Sequence, residues 1–442
     1  MGVRARERRT RRERSKLPFP VETILSILND PSLSPADRAA CCRVSKAFLS
    51  IARQALYQSL TFDIHNYCLD DECIIVDKST QAAFVVLSSR PDLATFIKRL
   101  SIKVHSTTSW PVPKDDWEDF DGIGKVENPE REQKNSSMKS KAGLVVRNFD
   151  YSMHLRALLE VASNVVLVTV DDAVDGSDHS TILANLSLPL LEHLVVPDFP
   201  LRLVSSFPSL RRLCVTNPVL RPWLALPGPS PLQHLAIREL RIPNADQLAA
   251  TLAAFTSLES FSFEYSAREE VDSPTADWHS CSDLSALASV HTVSLGLWTP
   301  IRGIALVEAP RITYPPSLRT LELRSNEFFS TRWERLTAVQ PAHLLGDSFF
   351  ATLPLSVVNL RVDLAPFDIP ALCAFLRSPI NLPNLETAAV LESGKSSSSV
   401  SGSSAGDGGS AAPSRSEGER KAQEEIVKAC RQRGLKVEVV VQ

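Results

Sequence analysis

The sequence predicts an α/β protein: a short three-helix unit followed by an irregular solenoid built on a curved parallel sheet. Three observations predict it. Residues 17 to about 60 show helical apolar spacing, a short apolar signature recurs through most of the remaining chain, and six copies of it follow a proline by one to three residues. The 442 residues, 43% hydrophobic and 22% charged, carry enough apolar surface for a large buried core.

The helical stretch starts at Leu17 and Pro18. Val21, Ile24, Leu25 and Leu28 follow at i, i+3, i+4 and i+7, one face of a short helix. Ser34, Pro35 and Asp37 read as N-cap, first helical residue and N3 acid of a second helix. Val44, Ala47, Phe48, Ile51, Ala52 and Ala55 continue the spacing into a third helix ending near Leu60. Three helices of this size bury little surface and call for a partner or a neighbouring domain.

From about residue 93 the pattern apolar, two variable, apolar, one variable, apolar recurs. Clear copies start at Leu191, Leu210, Leu232, Leu258, Val290, Leu318 and Val357, with weaker ones at Ile97, Val165 and Leu385. From Val165 onward successive starts lie 19 to 39 residues apart. That is the period of a leucine-rich repeat loosened by insertions. The last two apolar positions of each copy belong on one side of a strand, and one unit cannot cover its own apolar face, so neighbours must stack. An asparagine after the strand occurs cleanly only at Asn326 in LRTLELRSN, which predicts an irregular curve.

The solenoid is expected over 61–392. Residues 106–142, with Asp115, Asp116, Glu118, Asp119 and Asp121 before a lysine-rich run, read as a surface insertion carrying Trp110 and Trp117. Residues 393–420 read as a disordered Ser/Gly loop. Residues 421–442 read as a capping helix through Ala422, Ile426, Ala429 and Cys430, stopped at Gly434, then a strand through Leu435, Val437 and Val439. Residues 1–16 form a basic, disordered tail, with eight Arg or Lys against Glu7 and Glu13 in a chain of net charge -3. The tail suits nuclear import or loose, nonspecific phosphate contact; its lack of stacking aromatics removes the case for specific single-strand binding, and a nucleic-acid partner is not the expectation.

No apolar run is long enough for a bilayer span and no signal-peptide core follows the basic start, so no membrane is expected and the location is cytoplasmic, with nuclear entry open through the tail. The eight cysteines include no CxxC pair and are expected as reduced thiols; the sequons at Asn135 and Asn185 then go unused. Catalytic signatures fail on context. Residues 402–406 spell GxSxG, but inside a serine tract where a nucleophile elbow needs a strand and a helix. His65, Cys68 and Cys73 lack a fourth zinc ligand, and no Walker loop, GxGxxG or HExxH is present. The expectation is a non-enzyme without cofactor or metal.

The order LP, amphipathic helix, turn, then Arg43, Val44, Ser45, Lys46, Phe48 and Leu49, then Leu56 and Tyr57, resembles the F-box, in the form seen in fungal F-box proteins with C-terminal leucine-rich repeats. Phe19 and Pro20 before Val21 depart from that pattern. The resemblance implies a substrate-recruiting adaptor of a Skp, cullin and F-box ubiquitin ligase. Leu17, Pro18, Ile24, Leu25, Leu28, Val44 and Phe48 would meet the Skp-family adaptor, and through it a cullin, while the repeats take a protein substrate. Alternation along the strands assigns Arg212, His234, Arg238, Glu264, Glu322, Arg324, Asn359, Arg361 and Asp363 to a mixed-charge substrate face. A repeat scaffold or regulator acting outside a ligase is the alternative.

Overall fold

The computed structural model describes residues 21–28, 30, 32–44, 46–67, 73–106, 144–146, 151–172, 182–217, 230–240, 252–265, 283–297, 312–325, 346–363, 368–392 and 417–441. The basic tail, the Trp-bearing part of the insertion and the Ser/Gly tract up to residue 416 lie outside these. The chain forms two compact units, Met1–Phe199 with Ser206–Leu210 and Pro200–Ser205 with Arg211–Gln442.

The first unit opens with helices α1 (Val21–Leu28), α2 (Pro35–Cys41) and α3 (Lys46–Tyr57). Ile24, Leu28, Ile51, Ala52 and Ala55 form their shared core, with Leu25, Cys41, Cys42 and Phe48 packed against it. The expected capping box is present: Ser34 Oγ accepts from the Asp37 amide, and the Asp37 carboxylate accepts from the Ser34 amide at 3.1 Å. Arg38 ties α2 to the end of α1, donating from Nε to the Leu28 carbonyl at 2.8 Å and from Nη2 to that of Asp30 at 3.0 Å. The third helix stops at Tyr57, short of the expected Leu60, because Ser59 already belongs to a strand.

That strand, β1 (Ser59–Tyr67), is followed by β2 (Cys73–Asp77), α4 (Lys78–Ser89), α5 (Pro91–Ala94), β3 (Arg99–Ser106), β4 (Leu144–Val146), α6 (Tyr151–Val161), β5 (Leu167–Asp172) and β6 (His193–Asp198). Strands β1, β3, β5 and β6 pair in parallel; β2 lies antiparallel on the other side of β1, and β4 antiparallel to β2. Phe62, Ile64, Leu100, Ile102, Val168 and Val170 bury one strand face, and Phe84, Leu87, Leu155 and Leu158 the helices above it. Phe62 and Phe84 stack with centroids 4.2 Å apart.

The second unit holds β7 (Arg212–Asn217), β8 (His234–Leu240), β9 (Ser260–Tyr265), β10 (Thr292–Leu297), β11 (Thr320–Ser325), β12 (Asn359–Asp363), β13 (Thr387–Glu392) and β14 (Lys436–Val441), all parallel and joined in chain order. Three described α-helices accompany them, α7 (Asp347–Phe350), α8 (Ile369–Arg377) and α9 (Glu417–Arg433), besides a 3-10 turn at Leu201–Ser206. The arrangement is solenoid-like. Helix α9 starts at Glu417, inside the stretch expected to be disordered, and ends where Gly434 takes φ 80°, a left-handed stop suited to glycine.

In all ten copies the strand begins at the third residue of the signature. The fourth and sixth residues form two continuous buried rows in the second unit, from Leu213, Leu235 and Phe261 to Leu360 and from Val215, Ile237 and Phe263 to Val390. The first residue is fully buried in nearly every copy. The backbone repeats as faithfully. Amides of the second and third residues converge on the second carbonyl of the preceding copy, as Val358 and Asn359 do on Arg319 at 2.8 and 3.0 Å. The amides of Lys98 and Arg99 meet the Gln58 carbonyl in the same way, so β1 is a further copy that its sequence, QSLTFDI, conceals.

A second ladder joins the copies through side chains. The residue just before the signature donates to the carbonyl two residues before the previous signature. Asn164 bonds Thr95 at 2.8 Å, Ser209 bonds Pro189 at 2.6 Å, Ser289 bonds Thr256 at 2.8 Å, Ser317 bonds Ala288 at 2.6 Å and Asn384 bonds Leu355 at 2.9 Å. Each bond satisfies a turn carbonyl that no strand can reach.

Candidate interaction surfaces

On the helical unit, packing separates residues that spacing alone grouped together. Ile24 and Leu28 are each 3% exposed and belong to the internal core, while Leu25 and Phe48 are half-buried against it. Val44, in the turn before α3, is 67% exposed. Leu17 and Pro18 lie outside the described residues. Sequence reasoning passed over Ile27, on α1 away from the buried stripe and 56% exposed. Its signal was legible: an isoleucine off the apolar face of an amphipathic helix has no core to enter.

On the sheet of the second unit, the third and fifth residues of each copy form rows opposite the buried ones. The third-position row runs Arg212, His234, Ser260, Thr292, Thr320, Asn359, Thr387 and Lys436 from β7 to β14. Five consecutive strands thus contribute a hydroxyl or an amide, about 4.8 Å apart by strand spacing. Asn359 Nδ2 donates to Thr320 Oγ1 at 3.3 Å. Arg212 is exposed and His234 half-buried. The hydroxyl run was readable at these positions and was passed over in favour of charge.

The charged residues concentrate on β11 and β12. Glu322 stands in register with Ser294 on one side and Arg361 on the other. It is 5% exposed, yet it faces the polar row. Its carboxylate accepts from Arg324 Nε and lies 3.6 Å from Arg361 Nη1, and both arginine side chains are more than 40% exposed. Half-buried Asp363 lies two residues beyond Arg361 on the same face. Opposite charges therefore sit close together, and reversing both arginines would set three carboxylates against one another around a buried one. Beyond this group, Lys436 pairs with Glu438 at 2.8 Å; that bond, then the Lys436 charge and more weakly Arg361, holds the Glu438 carboxyl below its usual range. Arg238 and Glu264 contribute their backbones to β8 and β9, and their side chains lie outside the described residues.

Among the described residues no group of three His, Cys, Asp or Glu side chains could hold a metal ion. His65 and Cys73 sit on the paired strands β1 and β2, while Cys68 and the GxSxG tract lie outside the described residues. No described helix is long and apolar enough to cross a membrane. No protein-family model matches the chain, and no curated protein matches it.

Proposed function

We propose that this chain is an F-box protein with leucine-rich repeats, a non-catalytic subunit that recruits protein substrates to a Skp and cullin ubiquitin ligase. The observation that carries the reading is the pairing of a small helical unit that leaves Ile27 and Val44 in solvent with a repetitive parallel sheet that leaves an ordered polar face. An undersized helical unit gains most from a partner that covers its exposed apolar residues. A repeat sheet offers many side chains in fixed register, suited to gripping another protein.

The adaptor contact centres on Ile27 and Val44 and draws on Leu25 and Phe48, with Leu17 and Pro18 carried over from the family pattern, while Ile24 and Leu28 hold the helices together. The substrate contact uses the polar face from Arg212 to Arg361. Replacing Ile27 and Val44 together with Asp removes co-purification of a Skp-family protein and leaves the thermal midpoint within a few degrees, because neither side chain supports the core. Unchanged co-purification would refute the adaptor assignment. Arg212→Glu, at an exposed position, keeps adaptor binding and reduces capture of non-ligase proteins.

A further inference from the structure

At β14 the second unit exposes residues in two layers at once. In the sixth-position row every side chain from Val215 on β7 to Val390 on β13 is at most 2% exposed, but Val439 on β14 is 46% exposed. Strand β14 is also the last in the sheet order, so no described strand pairs with its outer edge. Above it lies α9, whose Ile426, Ala429 and Cys430 are buried and whose Gln432 takes a hydrogen bond from Arg377 of α8 at 3.0 Å. The helical turn angle places Gln423 and Val427 on the flank away from α8 and Arg431, Glu424 and Lys428 on the outer surface, and these residues, with Gln432 on the α8 side, line a shallow groove.

We propose that this terminal face is a two-fold interface with a second copy of the chain. Antiparallel pairing of β14 with itself about Val439 sets Val439 against its own copy and Val437 against Val441. Glu438 then faces Val440, so no like charges oppose one another. Pairing centred one residue earlier would instead oppose Glu438 to Glu438, which disfavours that register. The helix layer satisfies the same symmetry. Val427 lies six residues before the end of α9, about 9 Å at a helical rise, and Val439 three residues into β14, about 10 Å at a strand rise. One axis through Val439 therefore also passes near Val427, and about that axis Glu424 of one copy meets Arg431 of the other in both directions. An isologous contact needs this self-complementarity, and it joins two sheets into one without leaving an edge.

Light scattering on the size-exclusion-purified full chain tests the inference. The expected mass is twice that of one chain at about 10 μM, a concentration that populates a contact of micromolar affinity. Val439→Lys shifts the protein to monomer with an unchanged circular dichroism spectrum, since the residue is already exposed. Glu424→Arg and Arg431→Glu each weaken the dimer at least tenfold, and the double variant restores it, because the exchanged charges again meet across the axis. A monomer up to about 100 μM overturns the proposal. A dimer indifferent to Val439→Lys, or a double variant no better than its parents, also overturns it.

Discussion

At the scale of single residues, the polar side chain just before each signature has the most regular role. Ser317 Oγ reaches both the Ala288 and the Val290 carbonyl, at 2.6 and 2.9 Å, and so joins two copies at a turn. Ser317→Ala is expected to cost about 1 kcal/mol, read as a lower urea midpoint at constant slope, because a turn carbonyl loses its donor. Arg324→Ala is expected to cost more, about 1–3 kcal/mol, since it strips a charge-assisted bond from buried Glu322 while Arg361 remains to limit the loss. The apolar positions were legible because burial imposes a fixed period. The joining residues were not, because Ser and Asn before a turn satisfy so many local bonds that their type alone does not name a partner a whole repeat away. For the same reason Glu322 reads in the sequence as a solvent-facing acid; only the register that sets Arg361 opposite it explains its burial.

At the scale of elements, a boundary was legible where a local signal fixes it, as the box before α2 and Gly434 after α9 do, and not where both continuations suit the residues. The N-terminus of α2 was specified by Ser34, Pro35 and Asp37, and the structure contains that box. The end of α3 was not, since Ala55, Leu56 and Leu60 suit a helix and a strand equally well and only pairing of β1 with β3 decides it. The cap also sets a pH dependence. Hydrogen bonds from the Ser34 hydroxyl and then its amide hold the Asp37 carboxyl below its usual range. A carboxyl whose folded pKa is depressed contributes stability that is present above its unfolded pKa, near 4, and is lost as pH falls through the lower folded value. The gap in thermal midpoint between the parent chain and Ser34→Ala therefore narrows as pH is lowered below about 4. Within the sheet, Leu321 is fully buried between Val293 and Leu360. Leu321→Ala is expected to cost about 2–5 kcal/mol, measured by chemical denaturation, as a cavity in a continuous row.

At the scale of the molecule, a repeating signature and a helical preface were enough to predict parallel strands in chain order, but not the antiparallel β2 and β4 beyond β1, which carry no copy of the signature. The signature works because stacking is the only way a unit with one apolar face can bury it, so period and register carry the architecture. What the chain binds was far less legible, since an exposed face is chosen by complementarity to a partner and that complementarity leaves no spacing rule in one sequence. Val44 could be singled out from its likeness to a family pattern, whereas Ile27 needed the packing of α1 to reveal its exposure. The most direct test of the central claim is calorimetric titration of the purified full chain with a purified Skp-family protein. The account predicts saturable one-to-one binding with a dissociation constant of about 1 μM or tighter, abolished by the paired Asp substitutions at Ile27 and Val44. Absence of binding up to about 100 μM, by a chain whose circular dichroism shows it folded, would contradict the account.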